Sequence, residues 1–239
     1  MHEEAKHLNE KTRIEALDVL RGISVLGMIF HHTVYDLYAF CGAPATWFHN
    51  PLMDLVHYVF GSLFILLCGI SSNFSRSNVK RGAKAMAIAL VITAVTALLD
   101  MIIVYGVLHF LATAMLLYGL TQRFWERLPR IVLPVFSAAG LALTHPLANG
   151  VLTETPHLWI FGLTTADFAS SDYFPLLPWI FVFLFGTWLG RYVKEGSFPS
   201  FFYRVKEPRL AAIGRHSLAI YVVHQPILFA LSMALSLFL

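Results

Sequence analysis

Charged side chains are scarce in this sequence. Asp, Glu, Lys and Arg supply 13% of its 239 residues, against about a quarter in a soluble globular domain, so the charged shell of a soluble protein is missing. Cysteine is scarcer still: Cys41 and Cys68 are the whole supply. They lack metal-site spacing and sit at different depths in their apolar runs, so neither a disulfide nor a cysteine metal site is expected. No Ser-, Gly- or Pro-rich linker and no internal repeat divides the chain, which reads as a single domain over 1–239. A cleaved leader is not expected, because a polar start precedes the first apolar run. The small-residue triplet after that run, Ala43-Pro44-Ala45, carries a proline.

What is abundant is apolar surface. The chain is 57% hydrophobic with a mean hydropathy of +0.67, the composition of an integral membrane protein. A bilayer-spanning helix needs roughly 20 apolar residues. Runs near that length lie at 17–40, 52–74, 83–99, 101–120, 131–147, 175–190 and 210–239. The fold class expected is all-α, a polytopic membrane helix bundle of about seven transmembrane helices.

The charges support that count, because cytoplasmic loops accumulate Lys and Arg. With the N-terminus cytoplasmic and the C-terminus extracytoplasmic, all 17 basic residues fall on the inner side: Lys6, Lys11, Arg13 and Arg21; Arg76, Lys80, Arg81 and Lys84; Arg123, Arg127 and Arg130; then Arg191, Lys194, Arg204, Lys206, Arg209 and Arg215. The outer loops and helix ends keep acids only: Asp36, Asp54, Asp100, Glu154, Asp167 and Asp172. The formal charge of +3 follows from this topology and is no sign of a nucleic-acid partner.

Ionisable groups inside a bilayer cost about 2.5 kcal/mol or more each at mid-depth, so they usually line a bundle interior or a wet cavity. In the first run, Asp18 and Arg21 are spaced to pair on one helix face. His32 follows Arg21 by eleven positions, three turns further on nearly the same face and roughly 16 Å along the axis. Asp36 lies one turn beyond His32 and is positioned to orient it. His31, about 100° away, is expected to pack against a neighbouring helix or the outer interface. The second run carries a polar stripe of Asp54, His57, Gly61, Phe64, Cys68 and Ser71 or Ser72; the fourth has His109 and Thr113; the last has Ser217, Tyr221, His224 and Gln225 after Arg215 and His216. Each group singly could be a hydrogen bond between helices or an interfacial pair. Histidines in the outer halves of three helices point instead to a solvated outer vestibule. Between the fifth and sixth runs, HLWIFGLTTADF is aromatic and suits a surface-lying segment or a cover over a pocket; DYFPLLPW sets two prolines where a helix starts or kinks early.

The opening RIEALDVLRGISVLGMIFHH, with an arginine, ten residues and a histidine, resembles the membrane-bound acyltransferase superfamily, whose acyltransferase-3 branch shares that pattern. So does IGRHSLAIYVVHQPI near the end. Between them, LLCGISSNFSRS, YGVLHFLATAMLL and SDYFPLLPWIFVFLFG are more similar to bacterial relatives of the heparan-alpha-glucosaminide N-acetyltransferase catalytic domain, and the resemblance covers most of the chain. It implies a transferase of a bacterial-type cytoplasmic (inner) membrane. Such an enzyme moves an acyl group, typically acetyl from cytoplasmic acetyl-CoA, to a sugar amine or hydroxyl of a glycan or small glycoside outside. By motif, His32 corresponds to the acceptor's general base or an acylated relay, and Arg21 to a residue near the thioester or the phosphopantetheine arm.

Residue chemistry fits that task. Imidazole is a base near working pH, and arginines at the inner mouth suit an anionic nucleotide. The candidate set is therefore His32, Arg21, Asp18, His109, Asp172 and His224 for catalysis, and Arg21, Arg76, Arg81 and Arg215 for the acyl-CoA, with no metal. Relatives have about ten or eleven spans against roughly seven here, which leaves a homo-oligomer open. The outer loop after the first run, although it holds His49, does not align with the heparan enzyme's catalytic stretch. Two other classes stay open: a small proton-coupled transporter or channel along His32, His57 and Asp36, and a haem-binding membrane redox protein.

Overall fold

The computed structural model describes residues 13–99 and 101–238. Lys6, Lys11, Asp100 and the end of the last apolar run, Leu239, lie outside them. Among the described residues the helices are α1 (Glu15–Cys41), α2 (Pro51–Ser72), α3 (Asn78–Leu98), α4 (Val107–Arg127), α5 (Val132–Thr144), α6 (Leu176–Lys194), α7 (Ser200–Arg204), α8 (Pro208–Arg215) and α9 (Ser217–Ser236). Each of the seven apolar runs overlaps a helix, but the first six residues of the fourth run, 101–106, precede α4, and the last run is broken at His216 into α8 and α9.

Among the described residues, four helices are long and apolar enough to cross a membrane: α2, α3, α6 and α9. The other three expected spans fall short for visible reasons. α5 is only 13 residues long. α1 and α4 are long enough, at 27 and 21 residues, but too polar, since α1 carries Asp18, Arg21, His31, His32 and Asp36, and α4 carries His109, Gln122 and Arg123. The two less apolar helices bear candidates Asp18, Arg21, His32 and His109, while His224 lies on α9 and Arg81 on α3. Outward-facing Leu90, Val91, Val95 and Leu98 on α3, and Val223, Ile227 and Leu231 on α9, form the surface that lipid tails solvate. The chain is a multi-pass membrane protein, nearly all-α.

Helix ends follow local chemistry. Pro51 opens α2 behind Asn50, whose Oδ1 accepts from the N–H of Leu52 (2.9 Å) and Met53 (3.1 Å). Ser77 caps α3 by accepting from Lys80 N–H at 3.2 Å. α1 ends at Gly42, whose φ of 72° lets Ala43 N–H donate back to the Leu37 carbonyl at 3.1 Å. The expected kink at the DYFPLLPW prolines is there: Leu177 departs from helical angles (φ −99°, ψ 131°).

The chain divides into two compact units: one holds the described residues through Phe60 and from Pro199 onward, the other Gly61–Phe198. In the first, α1 packs on α8 and α9. The approach to α8 is backbone to backbone. A Cβ on Gly214 would lie 1.7 Å from the Asp18 carbonyl oxygen, and one on Gly22 2.3 Å from the Leu210 carbonyl oxygen. The two terminal motifs are thus joined through their glycines. In the second unit, α6 meets the C-terminal half of α2 at Gly69, Gly186 and Gly190, and Asn73 Nδ2 donates to the Thr187 carbonyl at 2.9 Å. α3 meets α4 at Gly82 and Gly119. Between α5 and α6, strands β1 (Val151–Leu152) and β2 (Leu163–Thr164) pair in parallel, Val151 opposite Leu163. This is a small β element that the all-α expectation omits.

Candidate active site

At one end of α1, Asp18 is buried and Arg21 Nη1 donates to its Oδ1 at 2.6 Å, the expected pairing. Arg13, just ahead of the helix, joins it through Nε to Oδ2 and through Nη2 to Oδ1 at 3.1 Å. This third member has no helical spacing to reveal it, because it precedes the first turn. Hydrogen bonding to Asp18 holds the Arg13 guanidinium above its ordinary range. Asp18 thus accepts hydrogen bonds from two arginines.

Three turns along α1 the structure gathers imidazoles from three helices. His57 of α2 lies against His31 (ring centroids 5.2 Å apart), His31 against His32 (5.7 Å), and His32 against His224 of α9 (5.1 Å). His31 also packs on Phe48 (5.1 Å), the neighbour-packing role expected of it. The His57 contact was not legible from spacing within either helix.

The tautomer of His224 follows from its bonding. Its Nδ1 lies 2.7 Å from the Tyr221 carbonyl, which can only accept, so Nδ1 carries the hydrogen and Nε2 is bare. That Nε2 is buried with no hydrogen-bond partner among the described residues. A bare basic nitrogen thus sits on the ring that packs against His32.

Asp36 does not do what its spacing suggests. One turn beyond His32, it is fully buried and accepts from Gln225 Nε2 of α9 at 3.0 Å. The helix face that suggested an α1 neighbour gave its direction but not what stood opposite. His49, in the loop after α1, lies edge-on to Tyr38 at 5.0 Å.

His109 and Asp172 belong to the second unit. His109 is buried, with Nε2 3.0 Å from the Thr93 hydroxyl oxygen. Thr93 donates its own hydrogen to the Ile103 carbonyl at 2.6 Å, so it accepts from Nε2–H and leaves His109 Nδ1 as the acceptor. Asp172 Oδ2 accepts from Val107 N–H at 2.9 Å, filling the capping role that Gly106 lacks a side chain for. This carboxylate steadies the start of the helix carrying His109.

The aromatic segment after α5 folds on itself: Trp159 stacks on Phe168 (6.3 Å) and meets Tyr105 edge-on (5.7 Å), and Phe168 meets Tyr173 (5.0 Å). Tyr173 donates to the Trp159 carbonyl, and burial pushes its phenol up to about 12.

Of the arginines proposed for the acyl-CoA, Arg76 and Arg215 are exposed. Arg81 is partly buried, with Nη1 donating to the Ser71 carbonyl at the end of α2 (3.4 Å). Among the described residues no group of three or more His, Cys, Asp or Glu side chains is arranged to hold a metal ion.

No curated protein and no solved structure matches the chain. The family described as heparan-alpha-glucosaminide N-acetyltransferase, catalytic, matches residues 13–226. That match runs through both units and takes in the paired arginines, the imidazole cluster and nearly all of the closing motif. With apolar helices able to cross a bilayer and imidazoles gathered between them, the chain belongs to the heparan-alpha-glucosaminide N-acetyltransferase catalytic family, whose activity is membrane acetyl transfer.

Proposed function

We propose that this chain is a transmembrane acetyltransferase, acting as one domain with seven spans, a cytoplasmic N-terminus and an extracytoplasmic C-terminus. It moves acetyl from cytoplasmic acetyl-CoA to a sugar amine or hydroxyl on the far side of a bacterial-type cytoplasmic membrane. The orientation rests on the basic residues, which alternate with acids from one helix end to the next.

The observation that carries the reading is the His32–His224 pair. The two rings pack with centroids 5.1 Å apart, and a rotation of His32 that turns an N–H toward the bare Nε2 of His224 would leave its other nitrogen to take a proton. This is the arrangement of a base and its orienting partner. As the acceptor's nitrogen or oxygen bonds to the thioester carbonyl, its proton passes to His32. The C–S bond then breaks, and the departing CoA sulfur takes that proton from the imidazolium and leaves as the thiol. Arg21, steadied by Asp18, lies on the donor side, and exposed Arg76 and Arg215 are suited to anionic phosphates.

The test is acetyl-CoA binding by calorimetry and free-thiol release by the purified protein. His32→Ala is expected to abolish release and keep donor binding, while Arg21→Ala weakens both. Full turnover in His32→Ala overturns the base assignment. The unbroken run of imidazoles from His57 to His224 favours a second reading, a proton-coupled transporter. Proton flux into liposomes with no thioester turnover would support it instead.

A further inference from the structure

Asp36 is a fully buried carboxyl group that forms no ion pair among the described residues. Its Oδ1 accepts from Gln225 Nε2 at 3.0 Å. Its Oδ2 and the Gln225 Oε1 are both buried and lack a protein partner among the described residues. In an ionised carboxylate both of these atoms only accept, so neither can serve the other. Two orphaned acceptors beside an uncompensated buried anion is an arrangement that folded proteins avoid. Exchanging the oxygen and nitrogen of the Gln225 amide offers no escape, since Oε1 would then face Oδ1.

One proton resolves the whole set. Placed on Oδ2, it donates to Gln225 Oε1 while Nε2 goes on donating to Oδ1. The acid and the amide then share two complementary hydrogen bonds, and each of the four polar atoms has a partner. We propose that Asp36 keeps its proton in the folded protein and forms with Gln225 a neutral acid–amide clasp between α1 and α9, which sets His224 in register with His32.

The groups around the clasp do not supply a countercharge. His32 lies one turn earlier on α1. α9 brings His224, whose Nδ1 hydrogen is committed to Tyr221. α2 brings His57 and Asp54, which reach α1 through His31, and the loop before α2 brings His49, held on Tyr38. α7 carries Arg204, and α8 carries Arg209 and Arg215; α8 meets α1 at Asp18 and Gly22, about four turns from Asp36.

The clasp does not depend on which reaction the protein performs, and its test needs no substrate. Infrared spectra of the purified full chain in lipid nanodiscs near neutral pH are compared in light and heavy water for wild type, Asp36→Asn and Gln225→Leu. The expected result is a deuterium-sensitive C=O stretch of a protonated carboxyl in the wild type, missing in Asp36→Asn and shifted in Gln225→Leu. Asparagine mimics the protonated acid, since its Nδ2 donates to Oε1 and its Oδ1 accepts from Nε2. The unfolded carboxyl ionises at about pH 4, so above that pH the wild type must take up a proton to fold and Asp36→Asn need not. Asp36→Asn is therefore expected to melt at or above the wild-type midpoint near neutral pH and to lose the decline due to Asp36 as pH rises above about 4, whereas Asp36→Leu melts below Asp36→Asn. Absence of the carboxyl band in wild type, or an Asp36→Asn protein as unstable as Asp36→Leu or unable to fold, overturns the proposal and makes Asp36 an ionised group.

Discussion

Substituting Gly214 by alanine tests the junction between α1 and α8 most directly. The added Cβ would sit 1.7 Å from the Asp18 carbonyl oxygen, 2.6 Å from its carbon and 3.0 Å from the Gly22 nitrogen. All three are backbone atoms, so no side chain can swing aside. Reaching ordinary contact at 3.4 Å takes a retreat of about 1.7 Å. Overpacking typically costs about 1–3 kcal/mol, and this site, closed on its α1 side, belongs at the upper end. At about 2–4 °C per kcal/mol for a chain of this size, the melting midpoint should fall by about 6–12 °C. The readout is tryptophan fluorescence of detergent-solubilised protein during heating. Gly42→Ala is the control: its φ of 72° is strained for alanine, but nothing lies within 4 Å, so it should cost about 1 kcal/mol and about 2–4 °C. Because α8 runs into α9 at His216, Gly214→Ala should also carry His224 off His32 and slow thiol release. Wild-type stability in Gly214→Ala, or a loss no greater than that of Gly42→Ala, would refute the close approach and the joining of the two motifs.

Other outcomes follow from the same geometry. Asp18→Asn should cost about 3 kcal/mol, because it removes the buried charge that accepts from both Arg13 and Arg21; Arg13→Ala, mostly exposed, should cost about 0.5 kcal/mol, and chemical denaturation of both variants separates the two. Asp172→Ala removes the cap from the helix of His109 and should cost about 1 kcal/mol, with faster hydrogen exchange at the first amides of α4. Tyr173, held to about 12 by burial, favours the fold in its neutral form. Its contribution should be complete below the ordinary phenol value of about 10 and disappear as pH rises toward 12, and Tyr173→Phe should abolish this alkaline loss in pH-dependent melting.

The sequence by itself determined the helices and their approximate ends, the membrane setting, the family, and the Asp18–Arg21 pair. The family rests on motifs along most of the chain, matched over residues 13–226; the others rest on composition or on spacing within one helix, where 3.6 residues per turn fix which side chains are neighbours. The seven apolar runs mark the helices because lipid-facing and helix-facing surfaces are both apolar. Where the runs misled, at α5 and at the break by His216, hydropathy measured apolarity and could not register a helix end.

The partners across helices were decided only by the tertiary structure. Helical spacing placed Asp36 on the face of His32, but α9 presents Gln225 to its short side chain, and the bond forms there. Spacing likewise could not seat Arg13 on Asp18, nor Asp172 on the first turn of α4, because those contacts join a helix to chain outside it. The approach of α1 to α8 depends on glycines at 22 and 214 that let two backbones touch. A glycine in a sequence says only that a side chain is missing; the opposing backbone that makes its absence necessary exists only in the folded chain.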